Sequence, residues 1–151
     1  PALWARFAAL WAGASLAGNL VAAPAKFQVE ALELSVALQV GRAQFSWIGI
    51  VEWVFVVLIV AILVLRVRTP PVLLFLAVMI FLSQQFWLQP LMEARSDLLI
   101  SGQSVPDSHL HVVFAGLEAL KFLALLMYSA TSIWSLVYTA NADRDEPGVS
   151  M

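Results

Sequence analysis

The chain has 151 residues, of which 62% are hydrophobic and 12% are charged. Charged residues make up about 25% of an ordinary soluble domain, so this composition excludes a typical soluble globular protein. The formal net charge of −2 gives no reason to expect a nucleic-acid partner, and the absence of cysteine excludes disulfides, thiol nucleophiles and thiolate metal sites.

Four apolar stretches are long enough to cross a bilayer, whose hydrocarbon core takes about 20 helical residues. They cover residues 7–25, 45–65, 69–92 and 110–138. Short connections between them predict an all-α fold, a four-helix transmembrane bundle in up-down-up-down order. We expect one domain over residues 1–139, followed by a polar, flexible C-terminal tail over 140–151.

The first span has features of a secretion signal, because Arg6 precedes an apolar run and a small-residue sequence at 23–25 resembles a cleavage site. Its apolar run is long enough to stay in the bilayer, so we interpret it as a retained first helix. Ala9, Gly13 and Ala17 follow one another at a spacing of four and predict a small-residue face for close helix packing.

The segment 26–42 between the first two spans is amphipathic. Lys26, Glu30 and Glu33 share one side at helical spacing, and Lys26 and Glu30 form an i,i+4 pair. This pattern predicts either a helix lying in the membrane interface or a helical extension of the first span that turns back. Gly41 is then expected to form the turn into the second span.

The other boundaries follow from charges, prolines and capping residues. A basic turn at 66–71 is expected to end the second span, and Pro90 is expected to end the third. A polar loop over 93–108 comes next, and Asp107 or Ser108 is a candidate N-cap for the fourth helix.

Lysine and arginine residues favour one orientation of the bundle. With the N-terminus inside, the inner face carries Arg6, Arg66, Arg68 and Arg144, and the outer face carries Lys26, Arg42 and Arg95. This bias predicts an integral protein of the bacterial inner membrane with both termini in the cytoplasm. The aromatic residues expected at the two interfaces are Trp4, Trp134 and Tyr138 inside, and Trp47, Trp53 and Trp87 outside.

Polar residues inside the spans gather in one half of the bilayer. A charge at the middle of a membrane helix costs about 2.5–3.5 kcal/mol, so such residues usually face the bundle interior and have partners. Because the helices alternate in direction, one half of the bundle receives Asn19, Glu52, Gln84, Gln85, Gln89, His111, Glu118 and Lys121. We expect Asn19 to form an interhelical hydrogen bond.

The spacing of these residues predicts a polar cleft. His111, Glu118 and Lys121 step along one stripe of the fourth helix, and Gln85 and Gln89 are i,i+4 on the third. The candidate ligand-binding residues are Glu52, Gln85, Gln89, His111, Glu118 and Lys121. In this interpretation Lys121 is the counter-charge to the two carboxylates, and His111 is a titratable gate near the mouth.

The same residues give a weak metal signal. His109 and His111 are two apart and point in different directions on a helix. His111 and Glu118 are separated by about 10 Å along the axis, at about 1.5 Å per residue, too far to share one ion. A metal ion would need His111 together with Glu52 or a loop carboxylate such as Glu93 or Asp97. We assign no metal ligand, no cofactor and no catalytic residue from the sequence.

Four short motifs lie along the chain, namely APAKF at 23–27, VGRAQF at 40–45, WLQP at 87–90 and HLH at 109–111. Together they resemble the transmembrane protein 205-like family, a group of small four-span proteins of undefined biochemical role. The resemblance covers most of the chain and implies the fold and a membrane location, but no reaction. The family's last helix usually carries a histidine followed by an asparagine; His111 matches, and Glu118 stands near the asparagine position.

A second similarity concerns Arg42-Ala43-Gln44 ahead of Glu52, which looks like the second-helix motif of membrane-associated eicosanoid and glutathione enzymes. Those enzymes are four-span trimers. The chain departs from their pattern, since it lacks the intervening asparagine and the Arg/Tyr-rich end of the third helix.

Three functional hypotheses follow. The first is a non-enzymatic integral membrane protein whose cleft binds or passes a small solute, ion or proton. The second is an accessory subunit of a larger membrane complex, in which the polar residues hold the helices in register. The third is a membrane-associated enzyme of the glutathione or eicosanoid type. The expected partners are the lipid bilayer and either further copies of the chain or a larger complex.

Overall fold

A computed structural model describes residues 2–25, 28, 30–65 and 70–145, with side chains described as far as residue 138. Within these residues the chain forms four helices long and apolar enough to cross a membrane. They are α1 (Ala2–Ala25), α2 (Leu34–Val64), α3 (Val72–Ile100) and α4 (Leu110–Asp145). The predicted all-α four-helix transmembrane bundle is confirmed.

Helix α4 packs against both α1 and α3, and α2 packs against α1 and the second half of α3. The connections are short, so successive helices run in opposite directions. This arrangement brings the N-terminal ends of α2 and α4 together with the C-terminal ends of α1 and α3. We call this the cavity end of the bundle, and the opposite end the closed end.

An apolar core fills the closed end. It consists of Trp4, Ala8, Trp11, Ala12, Val56, Ile59, Leu74, Ala77, Val78, Phe81 and Leu125. The indole of Trp11 stacks on Phe55 with ring centroids 5.5 Å apart and meets the edge of Phe81 at 6.3 Å. Such aromatic pairs add stability beyond the area that they bury.

The predicted small-residue face on α1 does not pack against another helix within the described chain. Ala9 and Gly13 are exposed, and a Cβ atom added at Gly13 would meet nothing within 4 Å. The buried small residues are instead Ala8 and Ala12, one position earlier along the helix. The large side chains of Trp4 and Trp11 select this face, because they lie on the same side of α1 and bury the most apolar surface.

Two π-helical turns interrupt the α-helices at the cavity end, over Leu16–Ala22 in α1 and Gln84–Leu88 in α3. Each is marked by a five-residue hydrogen bond, from Ala23 N–H to Gly18 O and from Gln89 N–H to Gln84 O. Such turns occur frequently at functional sites.

The third span does not end at Pro90 as predicted, because α3 continues to Ile100. Proline lacks the N–H group of a regular helical bond, and the π turn directly before Pro90 changes the hydrogen-bond pattern there. The first half of the predicted loop at 93–108, up to Ile100, is therefore helix.

Gly102 ends α3 with a φ of 79°, a left-handed conformation that favours glycine. Its N–H donates to Leu99 O at 3.1 Å, and Gln103 N–H donates to Leu98 O at 3.0 Å, which together form a Schellman motif. Beyond the loop, the hydroxyl of Ser108 accepts a hydrogen bond from Leu110 N–H at 3.2 Å, as expected for a side chain that caps α4.

The separate interfacial helix predicted over 26–42 is not formed from Leu34 onward, since that part is the beginning of the continuous helix α2. Gly41, the expected turn, is a buried residue inside α2. No helix breaker separates it from the second span, so the helical hydrogen bonds continue through it. Lys26, and with it the predicted Lys26–Glu30 pair, lies outside the described residues.

Two further predictions fall partly outside the described residues. Arg66 and Arg68 of the predicted basic turn lie there, as do residues 146–151 of the predicted tail. The start of that tail, up to Asp145, is part of α4.

The outer surface of the bundle is rich in exposed large apolar side chains, as expected for helices that face lipid. Four of the aromatic residues predicted to mark the interfaces are exposed, namely Trp47, Trp87, Trp134 and Tyr138. Trp4 is instead buried in the apolar core, and Trp53 packs against that core. Their rings fill the bundle, so they do not anchor it at the lipid surface.

Candidate functional site

Three charged side chains meet inside the bundle. Lys121 Nζ lies 2.5 Å from Glu52 Oε1 and 2.9 Å from Glu118 Oε2. The side chains of Lys121, Glu52 and Glu118 are 0%, 5% and 1% exposed, so water does not screen them appreciably. Lys121 therefore lies between the two carboxylates, as its predicted counter-charge role requires.

Neutral donors from two other helices complete the cluster. Trp11 Nε1–H donates to Glu52 Oε1 at 2.8 Å, the hydroxyl of Ser15 donates to Glu118 Oε1, and Gln84 Nε2 donates to Glu118 Oε2 at 3.0 Å. We call these residues the buried network: Trp11, Ser15, Glu52, Gln84, Glu118 and Lys121. All four helices contribute to it, so it ties the bundle together at one level.

Gln84 occupies a bridging position in the network. Its amide also donates to Phe114 O at 3.2 Å, and its oxygen accepts from Lys121 Nζ at 3.4 Å. Gln84 is the first residue of the π turn of α3, so its backbone carbonyl accepts a hydrogen bond from the N–H of Gln89, five residues later.

Of the polar residues predicted on the third helix, Gln84 joins the buried network. It follows Ala77 and Phe81 along the buried face of α3 at regular helical spacing. The role of Gln85 as a candidate ligand-binding residue stays a prediction. Gln85 lies against Gly49 of α2, where its Oε1 is 3.1 Å from the position of an added Cβ atom. The sequence shows no local signal for a π turn beyond the nearby Pro90.

Trp11 and Ser15 were missed, although a signal for them exists. Trp4, Ala8, Trp11 and Ser15 step by four, three and four along α1, which is the spacing of one buried helix face. An indole N–H and a hydroxyl on that face provide donors for carboxylates on facing helices. The absence of charge in this span concealed their part in the polar cluster.

A cavity of about 300 Å³ lies between the four helices on the cavity side of the network. Its walls are mostly apolar and include Leu20, Leu38, Phe45, Met92 and Phe114. Phe45 and Phe114 meet edge to face with their ring centroids 5.3 Å apart. Glu118 also lines the cavity, so this one carboxylate belongs to both the cavity and the network.

Polar side chains from three helices line the same cavity nearer the helix ends. Arg42 pairs with Asp97 at 2.6 Å and donates to the backbone oxygen of Glu93 at 3.3 Å. Gln89 donates to Glu93 Oε1 at 3.1 Å, and the exposed His111 also lines the cavity. Gln89 and His111 thus belong to the cavity wall and not to the buried network.

Two buried polar atoms on cavity-lining residues have no hydrogen-bond partner among the described residues, namely Asn19 Oδ1 and Arg42 Nε. Buried polar atoms in native structures are nearly always paired. The interhelical hydrogen bond predicted for Asn19 is therefore not formed by its Oδ1. A water molecule or a ligand in the cavity would supply these partners.

The geometry also bears on two further interpretations of the polar residues, a metal site and the motif of the glutathione-type enzymes. Within the described part of the chain, no group of three histidine or acidic side chains is placed to hold a metal ion. Arg42 and Glu52, the residues of the enzyme-like motif, form separate ion pairs with Asp97 and Lys121.

Comparisons of the chain with models of protein families, with curated proteins and with solved structures find no match. The resemblance to the transmembrane protein 205-like family stays a prediction. A functional conclusion therefore rests on the buried network and the cavity.

Proposed function

We propose that this is a non-enzymatic integral membrane protein that binds a small solute, ion or proton in its cavity. The observation that carries the proposal is the position of Glu118, which lines the cavity and is also held by the buried network. A ligand in the cavity would therefore lie next to a residue whose carboxylate contacts α1, α3 and Lys121.

The charges of the network support this proposal. Two carboxylates, Glu52 and Glu118, face one ammonium group, Lys121. An uncompensated charge inside a membrane protein is costly, so such a group usually has a partner. A bound proton or a cation next to Glu118 would balance the second carboxylate.

The closed end favours binding over passage. On the far side of the network, the apolar core fills the space between the helices with side chains such as Val56, Leu74 and Leu125. A charged solute would have to cross this layer to leave on that side, and apolar surroundings oppose the transfer of charge. Passage would require the helices to rearrange.

Native mass spectrometry of the protein, extracted gently from its own membrane, tests the proposal. We expect a reproducible mass excess from a small bound molecule. Glu118→Gln removes the charge at the inner end of the cavity, and Ala115→Leu fills part of the cavity with a larger side chain. Both variants should therefore lose the mass of the bound molecule. Asp107→Asn makes the matched carboxylate-to-amide change at an exposed position outside the cavity lining and should keep it.

The alternatives predict different spectra. Stable co-purification with other protein chains, without a small-molecule mass, would support the accessory-subunit hypothesis and make the network a helix-packing device. A mass excess that all three variants retain would place the molecule elsewhere on the protein, such as in bound lipid.

The proposed orientation, with both termini on the cytoplasmic side of a bacterial inner membrane, is supported by the bias of lysine and arginine between the connections. The chain has no cysteine, so single cysteines report topology without background. Ser104→Cys, in the loop between α3 and α4, should react with a membrane-impermeant maleimide in intact cells. Asp143→Cys should react after the membrane is opened, and the reverse pattern would invert the orientation.

A further inference from the structure

We infer that the cavity selects a lipophilic organic cation, a small ammonium compound that carries an aromatic or branched apolar substituent. This inference rests on the proposed function and narrows it to one class of ligand. It follows from three features of the cavity, namely its charge, its aromatic wall and its size.

Among the described residues that line the cavity, carboxylates outnumber permanently charged cations. Its cation, Arg42, is already paired with Asp97 at 2.6 Å, whereas Glu93 and Glu118 add two carboxylates. Lys121 balances one of the two carboxylates in the network, and its side chain is fully buried behind them. The unpartnered Oδ1 of Asn19 adds another acceptor to the same space. A ligand that carries positive charge therefore gains most from this cavity.

The walls favour a cation with apolar substituents over a hydrated metal ion. Phe45 and Phe114 form an edge-to-face pair within the lining, beside Leu38, Met92 and Ala115. Aromatic faces attract organic cations, and apolar walls bury their substituents without displacing a tight hydration shell. The protein shows the same chemistry internally, where Lys121 Nζ lies 5.7 Å from the ring centroid of Phe81.

The size of the cavity limits the ligand. A volume of about 300 Å³ is near the lower limit for small-molecule sites. A single ring with a compact ammonium head group fits such a space, whereas a large polycyclic cation does not. The ammonium group is expected next to Glu118, with the substituent against the Phe45–Phe114 pair.

The experiment compares three water-soluble probes of similar shape, measured by isothermal titration calorimetry on the full chain in detergent micelles. Benzyltrimethylammonium is cationic, phenylmethanesulfonamide is neutral and phenylmethanesulfonate is anionic. We expect the cation to bind about ten- to a hundredfold more tightly than the neutral probe, a range typical of desolvated cation–π and charge contacts, and the anion not to bind. Empty micelles provide the blank for each probe.

Variants locate the bound cation. Glu118→Gln should lower the affinity for the cationic probe by at least about tenfold, because it removes the charge of the side chain and keeps its shape. It should change the affinity for the neutral probe far less. Ala115→Leu should weaken both probes, because it occupies the wall without touching the network. Asp107→Asn, the exposed carboxylate control, should leave both affinities unchanged.

Each outcome separates this inference from the proposed function. Equal or tighter binding of the neutral or anionic probe overturns the cation class but keeps a ligand-binding cavity. The same holds if native mass spectrometry identifies a neutral or anionic bound molecule. Failure of every probe to bind, together with no small-molecule mass on the native protein, overturns both proposals. If Glu118→Gln does not fold, the affinities of the three probes for the unaltered protein still test the cation class, and those for Ala115→Leu still test the location of the ligand.

Discussion

Glu52 Oε1 accepts two hydrogen bonds from two different helices, from Lys121 Nζ at 2.5 Å and from Trp11 Nε1 at 2.8 Å. Lys121 is 69 residues away from Glu52 in the chain, and Trp11 is 41 residues away. One carboxylate oxygen therefore joins α1, α2 and α4. Changes at any of the three residues should be felt by the whole bundle, since each is buried.

Replacement of Lys121 by methionine should destabilise the protein by about 3–5 kcal/mol, because two carboxylates would then remain buried without their shared cation. Equilibrium unfolding in mixed micelles measures this loss. The triple variant Glu52→Gln, Lys121→Met, Glu118→Gln removes all three charges and should recover much of the stability. If Lys121→Met alone is as stable as the unaltered protein, the ion pairs do not hold the bundle together.

Replacement of Trp11 by phenylalanine tests the indole hydrogen bond to Glu52. The ring stack with Phe55 is largely kept, whereas the N–H donor is lost from a buried carboxylate. We expect a loss of about 1.5–3 kcal/mol, the range for hydrogen bonds to charged groups. Trp134→Phe is the matched control, because Trp134 is exposed and should change unfolding little. Equal effects of the two changes would contradict the role of the donor.

Gly18 should not tolerate a side chain, because an added Cβ atom would collide with the Cδ1 atom of Ile48 in α2. We expect Gly18→Ala to lower stability by about 1–3 kcal/mol relative to the matched change Gly13→Ala, which meets no neighbouring atom. Both substitutions replace a glycine inside α1, so their difference reports mainly the contact with Ile48. Thermal unfolding of the two variants measures it.

A partial rescue identifies the colliding residue. Ile48→Ala removes the atoms that face Gly18, so it should cost less stability in the Gly18→Ala background than in the unaltered protein. Additive effects of the two substitutions would show that α1 and α2 do not meet at this point.

The Arg42–Asp97 pair should contribute little to stability despite its short distance of 2.6 Å. Its two side chains are 38% and 65% exposed, and ion pairs open to solvent contribute about 0–1 kcal/mol. Arg42→Met and Asp97→Asn should each change the unfolding free energy by no more than about 1 kcal/mol. A loss of stability as large as that of Lys121→Met would mean that this exposed pair stabilises the bundle as much as the buried network does.

Much of the fold could be predicted because membrane spans are set by length and hydropathy alone. The charge-free stretch at 7–25 and the apolar run around Lys121 both lie in helices that are long and apolar enough to cross a membrane. The burial of Glu52, Glu118 and Lys121 also followed from the sequence, since charges inside lipid-facing helices must point inward. Glu118 and Lys121, an i,i+3 pair, lie on one face of α4, and this face meets Glu52 of α2.

The prediction that Pro90 ends the third span failed because the helix departs from regular α geometry there. The π turn at Gln84–Leu88 changes the hydrogen-bond pattern, and α3 continues past Pro90. The small-residue face of α1 was assigned to Gly13, whereas the bulk of Trp11 turns the neighbouring face into the bundle. Which side of a helix faces the bundle depends on the neighbouring helices, so the sequence of α1 alone did not decide it.

The sequence by itself determined that this protein is a four-helix membrane bundle with a charged cluster toward one end, because the cost of placing polar groups in lipid depends on residue type alone. The tertiary structure decided that Glu118 faces a cavity, that Trp11 and Ser15 complete the cluster, and that His111 and Gln89 lie on the wall. Those facts depend on helix rotation and on local π turns, which arise from the packing of side chains distant in the chain.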